Sequence, residues 1–337
     1  MKILVTGGLG FIGSHTVVEL QNKGFEVVII DNLSNTSLKV LDGIRAITGK
    51  MPVFEKLDLR EKEKVNDFFK RHADIKGVIH FAASKAVGES VENPLLYYEN
   101  NVTTLIYLLQ ALQQKQEAYF IFSSSCTVYG QADKMPITEA APIQVAVSPY
   151  GNTKQIGEEI INDTVKVSSV NAILLRYFNP IGAHPSAEIG ELPIGVPQNL
   201  VPFITQTGIG LRQELLVYGN DYPTPDGTAI RDYIHVVDLA KAHVVALQRL
   251  LDKKNDAKVE VFNLGTGVGS SVLEVIQAFE TISGQKLPYK IAPRRAGDII
   301  SAYASTDKAN TILGWKAQAT LEEAMASAWR WEQKIRK

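Results

Sequence analysis

The sequence predicts an α/β fold: a doubly wound parallel sheet with helices on both faces. In the first half of the chain, short apolar runs alternate with helix-like stretches, and four glycines follow the first run. In one helix-like stretch Leu105, Leu108, Leu109 and Leu112 recur at helical spacing. Apolar runs rich in branched and aromatic residues are typical of strands buried on both faces. Strands that alternate with helices pair in parallel through right-handed crossovers.

The individual elements follow from this alternation in chain order. The predicted strands are residues 2–6, 26–30, 52–56, 77–81, 118–123 and 171–178. Residues 179–199 are dense in Gly and Pro and predict a long irregular loop, which in a compact chain is usually functional or disordered. A helix with Val237, Ala240, Val244, Leu247 and Leu251 on one face then precedes a strand over 259–265.

These elements predict two domains with a soft boundary between them. A nucleotide-binding domain over residues 1–178 is followed by a smaller C-terminal α/β domain over 179–337 that binds substrate. Segments near 234–265 are expected to return to the first domain.

Composition excludes several classes of function. The 337 residues are 45% hydrophobic and 21% charged, enough to bury a large core. Lys plus Arg number 35 against 36 Asp plus Glu, so no overall field attracts nucleic acid or a membrane surface. The single cysteine, Cys126, has no internal partner, and the six histidines lack metal-ligand spacing. We therefore expect a cytoplasmic protein without a structural metal.

The N-terminal segment raises the question of a secretion signal, because Ile3, Leu4 and Val5 follow Lys2. The glycines at 7, 8, 10 and 13 interrupt any apolar signal region. We interpret this segment as part of the fold.

The glycines match a dinucleotide-binding loop. They fit either GxxGxxG at Gly7, Gly10 and Gly13 or GxGxxG at Gly8, Gly10 and Gly13, after a strand and before a helix that begins near Ile12. Glycine lets the backbone approach a pyrophosphate, and the helix N-terminus offers free N–H groups to it. The second strand ends at Asp31, whose carboxylate suits a ribose and disfavours a 2′-phosphate. The sequence therefore predicts a Rossmann-type domain that binds NAD; a structural glycine turn is the alternative.

A second pattern predicts catalysis. Tyr150 and Lys154, four residues apart, would share one face of a helix, and Ser125 ends a strand nearby. A tyrosine that acts as a base near pH 7 needs its pKa lowered by about three units, which two nearby positive charges could supply. Lys154 offers one charge and an oxidised nicotinamide the other. The simpler alternatives are a surface pair for Tyr150 and Lys154 and a strand cap for Ser125.

These motifs resemble the extended short-chain dehydrogenase/reductases and, among them, the nucleotide-sugar 4-epimerases. The similar segments include TGGLGFIG, HFAASKAVGESVENP, FSSSCTVYG, RYFNPIGAHPS, FNLGTG and APRRAGD. The resemblance implies NAD-dependent interconversion of UDP-glucose and UDP-galactose through a 4-keto sugar that turns over in the site. It also implies a homodimer paired through helices of the first domain. Tyr150 would exchange the C4 hydroxyl proton, Ser125 would relay it, and Lys154 would hold the nicotinamide ribose and lower the pKa of Tyr150.

The same resemblance assigns further binding residues. The cofactor would contact Gly7, Gly10, Phe11, Ile12, Gly13, Asp31, Asn32, Asn35, Asp58, Leu59, Phe81, Ala82, Lys85, Asn100, Ser125, Tyr150, Lys154, Tyr177 and Phe178. The UDP-sugar would contact Ser125, Tyr150, Asn179, Asn199, Leu200, Tyr218, Arg231, Arg295, Asp298 and Ala302. Because the sugar must turn over, the nucleotide has to carry the binding, and arginine suits its diphosphate. Asp58, Lys85, Phe81 and Arg231 each have a structural alternative, which for Arg231 is a salt bridge with Asp232.

Three residues depart from the family pattern. Ile181 stands where the family often has Thr, and Cys126 where Ala is common; we expect Cys126 to be a packed residue. Ala302 stands where some members have a bulky Tyr that restricts them to unmodified hexoses. A small residue there predicts that UDP-N-acetylglucosamine and UDP-N-acetylgalactosamine are also accepted.

Three other functions are alternatives to epimerisation on the same fold. The 4,6-dehydratases of the superfamily carry an Asp-Glu pair where this chain has Cys126 and Thr127, which argues against dehydration. A decarboxylase or another nucleotide-sugar epimerase would differ in its substrate loops. A non-catalytic NAD-binding regulator could lose Tyr150, Lys154 or Ser125, all of which are present.

Overall fold

The computed structural model describes residues 1–295 and 298–337. Its main sheet has seven parallel strands, which are β1 (Lys2–Thr6), β2 (Glu26–Asp31), β3 (Val53–Lys56), β4 (Ile75–His80), β5 (Ala118–Ser125), β6 (Val170–Tyr177) and β10 (Val259–Leu264). Their order across the sheet is β10-β6-β5-β4-β1-β2-β3. The predicted parallel α/β fold is confirmed.

Helices cover both faces of this sheet. They are α1 (Phe11–Asn22), α2 (Lys39–Thr48), α3 (Lys62–Arg71), α4 (Val87–Glu92), α5 (Pro94–Tyr98), α6 (Thr104–Gln113), α7 (Pro149–Lys166) and α9 (Val236–Leu251). Alternate residues of each strand enter different cores: Ile3 and Val5 pack with α1, α2 and α9, whereas Leu4 packs with α3, α6 and α7. This period of two explains why the strands are apolar along their whole length.

Most of the other elements in the described residues form two small sheets and three α-helices. Strand β9 (Ile230–His235) pairs with β7 (Asn179–Ile181), β11 (Gly269–Ser271) and β13 (Ser301–Ala302), and β8 (Leu215–Tyr218) pairs with β12 (Tyr289–Ala292). Helices α8 (Leu200–Gly208), α10 (Val272–Ser283) and α11 (Leu321–Ile335) enclose a separate core that includes Phe279 and Trp329. The long loop predicted after residue 178 therefore begins with a short strand.

The chain crosses between these two regions more than once. After β7 to β9, it returns through α9 and β10 to the edge of the main sheet. In the part of the chain that the structure describes, no helix combines the length and apolar character needed to cross a bilayer. The segment APRRAGD contains residues 296 and 297, which lie outside the described residues.

Candidate active site

The glycine loop lies where β1 meets α1, at the carboxyl edge of the main sheet. Gly7 has a φ of +66°, and a Cβ there would lie 2.8 Å from the Ala82 nitrogen. A Cβ on Gly13 would overlap the Gly7 carbonyl oxygen, so both positions require glycine. Gly10 is the N-cap of α1 and has only a hydrogen as its side chain, which leaves the N–H groups of Phe11 and Ile12 open to a ligand. The loop therefore fits a pyrophosphate.

Asp31 lies at the end of β2 and is buried. One carboxylate oxygen accepts a hydrogen bond from the Leu9 nitrogen at 3.2 Å and the other from the Leu33 nitrogen at 2.9 Å. Burial raises the pKa of Asp31 and these two N–H groups oppose the rise. Asp31 thus joins the glycine loop to the turn after β2, and its remaining lone pairs can accept from a ribose.

A cavity of about 480 Å³ adjoins Asp31 and is lined by Asn32, Ser34, Lys56, Asp58, Arg60, Glu61 and Lys64. Asp58 accepts from Arg60 and from the Asn32 amide, and the Arg60 contact lowers the pKa of Asp58 to about 2. Asn35 is exposed beside this region. Leu59 instead packs in the core of the main sheet, so its side chain does not line the cavity.

The next predicted cofactor residues follow β4. The Phe81 nitrogen donates to the Thr6 carbonyl, which fixes Ala82 against the glycine loop. The Asn100 amide donates to the Ser84 hydroxyl at 3.1 Å. The Lys85 ammonium pairs at 3.1 Å with Glu191, whose same oxygen accepts from the Asn199 amide at 2.6 Å. Glu191, which no sequence motif indicates, thus connects a predicted cofactor residue with a predicted substrate residue.

Ser125, Tyr150 and Lys154 meet at the carboxyl end of β5. Tyr150 and Lys154 lie in the first turns of α7, and all three side chains are buried. Burial raises the pKa of Tyr150, and the nearby Ser125 hydroxyl, which accepts from the Thr127 nitrogen at 3.2 Å, opposes the rise. The Lys154 ammonium donates to the Ser123 carbonyl at 2.7 Å and lies 5.9 Å from the centre of the Tyr150 ring. Burial lowers the pKa of Lys154 to about 8. A phenolate here needs further positive charge, which an oxidised nicotinamide carries.

Three other residues border this group. Tyr177 ends β6 and its hydroxyl accepts from Ser123 at 3.0 Å. Phe178 is buried in a cluster with Val128 and Ala302. Burial raises the pKa of the Cys126 thiol to about 12, so it stays protonated, as expected of a packed residue.

The predicted substrate residues form two groups. Asn179 begins β7, Asn199 is the N-cap of α8, and Leu200 is its first residue. In the second group, Arg295 pairs with Asp298 at 3.0 Å and stacks on Tyr218, 4.8 Å from the ring centre. Ala302 pairs in register with Arg231, which places the residue predicted to set the accepted sugar size beside a predicted diphosphate ligand.

The structure does not support a salt bridge between Arg231 and Asp232. Both oxygens of Asp232 accept hydrogen bonds from Thr266, Gly267 and Ala304. Among the residues that the structure describes, Arg231 forms no ion pair, and its guanidinium donates to the Ile230 carbonyl. Arg231 therefore retains donors for an anionic ligand.

The fold and this group of residues define an extended short-chain dehydrogenase/reductase. A family model described as GDP-mannose 4,6 dehydratase matches residues 4–328. The UDP-glucose 4-epimerase of Bacillus subtilis is 50% identical, with 98% of this chain and 97% of that protein covered. The chain belongs to the family that the model describes and, within it, to the UDP-glucose 4-epimerases.

Solved structures agree with this assignment. A UDP-glucose 4-epimerase from Stenotrophomonas maltophila, crystallised with NAD and formylated UDP-arabinopyranose, has a TM-score of 0.95 and 47% identity, and covers 100% of this chain and 99% of its own. The UDP-glucose 4-epimerase of Bifidobacterium longum, in complex with NAD⁺ and UDP, has a TM-score of 0.94 and 46% identity. The match covers 99% of this chain and 98% of that chain.

Proposed function

We propose that this protein interconverts UDP-glucose and UDP-galactose with NAD as its cofactor. The observation that carries the proposal is the meeting of Ser125, Tyr150 and Lys154 beside the glycine loop, in a chain that belongs to the UDP-glucose 4-epimerases. Structural relatives that bind NAD and UDP-sugars support the choice of ligands. The cofactor segment over 1–178 and the substrate segment over 179–337 would then both contribute to one site at the carboxyl end of β5.

The residues on the cofactor side fit NAD. The start of α1 would hold the pyrophosphate, Asp31 the adenosine ribose, and the cavity bordered by Asn32 and Asp58 the adenine. When bound, NAD supplies the acceptor for the C4 hydride and returns the same hydride, so the reaction has no net redox change.

The chain itself manages the proton. Tyr150 takes the proton of the C4 hydroxyl when the sugar is oxidised and returns it when the 4-keto sugar is reduced. Ser125, which lies near the phenol, would hold the reacting oxygen and relay this proton. Lys154, with a pKa of about 8, is largely protonated at neutral pH and stabilises the phenolate through space. The burial of all three side chains excludes water and strengthens these interactions.

Inversion requires that the keto sugar present its other face while UDP stays bound. Arg231 and Arg295 would bind the diphosphate, with Asn179 and Asn199 as further donors, because guanidinium groups make paired bonds to phosphate oxygens. Tyr218 already supports Arg295 by stacking. Binding through the nucleotide leaves the hexose free to rotate.

The buried Ala302 supports a wider substrate range. Its methyl group lies in a buried cluster with Phe178 and Val128, so a larger side chain there would have to project toward the proposed sugar site. We therefore include UDP-N-acetylglucosamine and UDP-N-acetylgalactosamine among the proposed substrates.

The description of the family model as a dehydratase raises that reaction as a second candidate. Elimination of water after C4 oxidation needs an additional acid and base. The positions after Ser125 hold Cys126, with a thiol that stays protonated, and Thr127. These groups do not supply the pair, so we favour epimerisation.

We also propose a cytoplasmic homodimer. Val91 on α4 and Leu95 on α5 are 62% and 80% exposed, which supports an interface on the helices of the first domain. Size-exclusion chromatography with light scattering tests the dimer, and a monomer would contradict it.

The function itself is tested by incubating the protein with UDP-galactose and, separately, with UDP-N-acetylgalactosamine, and by separating the epimers by chromatography. Conversion of both supports the full proposal. Conversion of UDP-galactose alone contradicts the wider range, and conversion of neither, even with added NAD, contradicts the epimerase.

A further inference from the structure

A buried ion pair lies directly behind the proposed catalytic residues. The side chains of Glu158 and Arg176 are each 8% exposed. One Glu158 oxygen accepts from the Ser124 hydroxyl at 2.6 Å and from Arg176 Nε at 2.9 Å, and the other accepts from Arg176 Nη2. Every oxygen of this carboxylate therefore has a donor from β5 or β6.

The pair continues into a longer polar network. Arg176 Nη1 donates to the Tyr129 hydroxyl at 3.0 Å, and the Arg176 guanidinium also lies 4.9 Å from the centre of that ring. The Tyr129 hydroxyl donates to the side-chain oxygen of Asn263 at 2.6 Å, and the backbone nitrogen of Asn263 donates to the Glu139 carboxylate at 2.8 Å. The network thus joins β6 and β10 to the turn that follows Ser125.

The network reaches the reaction site at two points. Glu158 lies one helical turn after Lys154 on α7, the helix that also carries Tyr150. Ser124, which Glu158 binds, stands between Ser123, whose carbonyl accepts from Lys154, and Ser125. A single carboxylate therefore fixes the end of β5 relative to α7, the two elements that bring Ser125, Tyr150 and Lys154 together.

Stability alone does not explain a buried pair of this kind. Desolvation of two charges offsets most of their attraction, and replacing both partners by apolar residues of similar size is often neutral or stabilising. A negative charge beside a buried ammonium, in contrast, has a direct effect: burial lowers the pKa of Lys154 and Glu158 raises it.

We propose that Glu158 is a positioning residue for the reaction, which orients Ser125 through Ser124 and places a negative charge one helical turn from Lys154. This inference rests on the proposed function. It assigns to Glu158 a role in turnover and no contact with the substrate or cofactor.

The test compares two variants of the NAD-loaded enzyme. In Glu158→Gln, Arg176 loses its anionic partner, so the fold is weakened along with the site. In the double variant Glu158→Met, Arg176→Met, no charge is left unpaired, so the unfolding temperature is expected to stay near that of the parent. We expect kcat for UDP-galactose to fall roughly tenfold or more in both variants, with KM nearly unchanged.

A pH profile of kcat separates positioning from support of the fold. The groups that face Lys154 are Tyr150 and Glu158 on α7, Ser123 and the Phe122 ring on β5, and His80 on β4. In Glu158→Gln the ammonium loses its anionic neighbour, so the alkaline limb of the profile should move to lower pH by roughly half a unit or more.

A folded double variant with the parent kcat would overturn the proposal, since the pair would then serve the fold alone. An unchanged alkaline limb in Glu158→Gln would also overturn it. If the parent enzyme shows no turnover of UDP-galactose while it retains NAD, the proposed function has failed instead, and the two failures are distinguishable.

Discussion

Lys154 directs its ammonium group at the Ser123 carbonyl, 2.7 Å away, and lies 5.9 Å from the centre of the Tyr150 ring. Lys154 is therefore fixed by the strand that carries Ser125 and acts on the phenol through space. Because burial raises the pKa of Tyr150, the phenolate depends on the combined effect of Lys154, Ser125 and the charge of the cofactor.

Replacing Tyr150 by Phe should abolish most of the activity. The ring stays in the buried pocket, so the fold and UDP binding are preserved, but the group that exchanges the C4 hydroxyl proton is lost. We expect kcat to fall by roughly 10²–10⁴-fold. The measurement is the initial rate with UDP-galactose, with UDP binding and the unfolding temperature as controls. Retention of more than about a tenth of the parent rate would contradict the role of Tyr150.

Replacing Arg231 by Ala should weaken substrate binding without a large change in turnover. Charge-assisted bonds to phosphate contribute about 1.5–3 kcal/mol, which corresponds to a rise in KM of roughly 10- to 150-fold. Arg330, which is exposed on α11, provides the matched control as Arg330→Ala. If both variants show the same KM as the parent, Arg231 does not bind the diphosphate.

Replacing Ala302 by Tyr should narrow the substrate range. The position lies in a buried cluster with Phe178, so a tyrosine ring would have to project toward the proposed sugar site, where we place the N-acetyl group. We expect kcat/KM for UDP-N-acetylgalactosamine to fall at least tenfold more than for UDP-galactose, a difference of about 1.4 kcal/mol. Ala302→Ser, which keeps the position small, is the control. An equal loss on both substrates would show general disruption of the site and would contradict the proposal that residue 302 sets the accepted sugar size.

Three buried histidines should make the fold sensitive to mild acid. Burial lowers the pKa of His15 and His80 to about 3 and that of His243 to about 4. The unfolded chain takes up these protons near pH 6.5 and the folded chain does not. The contribution of the three histidines to the free energy of unfolding is therefore fully present above pH 6.5 and is lost as the pH decreases. Each histidine lowers the free energy of unfolding by up to about 1.4 kcal/mol for each pH unit below this value.

Urea unfolding of the NAD-loaded enzyme at several values between pH 7 and 5 measures this effect. The free energy of unfolding should decrease steadily with falling pH. His80→Asn should reduce the slope of this free energy against pH by nearly the amount that one bound proton contributes. The Thr6 hydroxyl that His80 bonds at 2.7 Å can pair with the asparagine amide. A free energy of unfolding that does not change over this range would contradict the prediction.

The sequence predicts the main sheet because its signals are local. Strand β1 has the predicted bounds, and β2 to β6 begin or end within a few residues of theirs. Period-two burial makes these runs apolar throughout, and the helix between β1 and β2 follows directly from the glycine loop. The glycine loop, Asp31 and the Tyr150/Lys154 pair are likewise fixed by short spacings.

The remaining features depend on contacts between distant parts of the chain. Strand β7 has three residues in a segment rich in Gly and Pro, and it exists because Asn179 to Ile181 pair with β9. Glu191 lies in the same loop, and its link between Lys85 and Asn199 has no local signal. Arg176, in contrast, does have a local signal in the sequence. A charged residue within the apolar run of β6 indicates a buried partner, which is Glu158.

The central claim, that C4 is oxidised and then reduced by the same hydride, is tested most directly with UDP-galactose that carries deuterium at C4. The NAD-loaded enzyme would be incubated with this substrate in ordinary water, and the product examined by mass spectrometry and NMR. The account predicts UDP-glucose that retains deuterium at C4. Loss of the deuterium to solvent would indicate direct proton exchange at carbon and would contradict it.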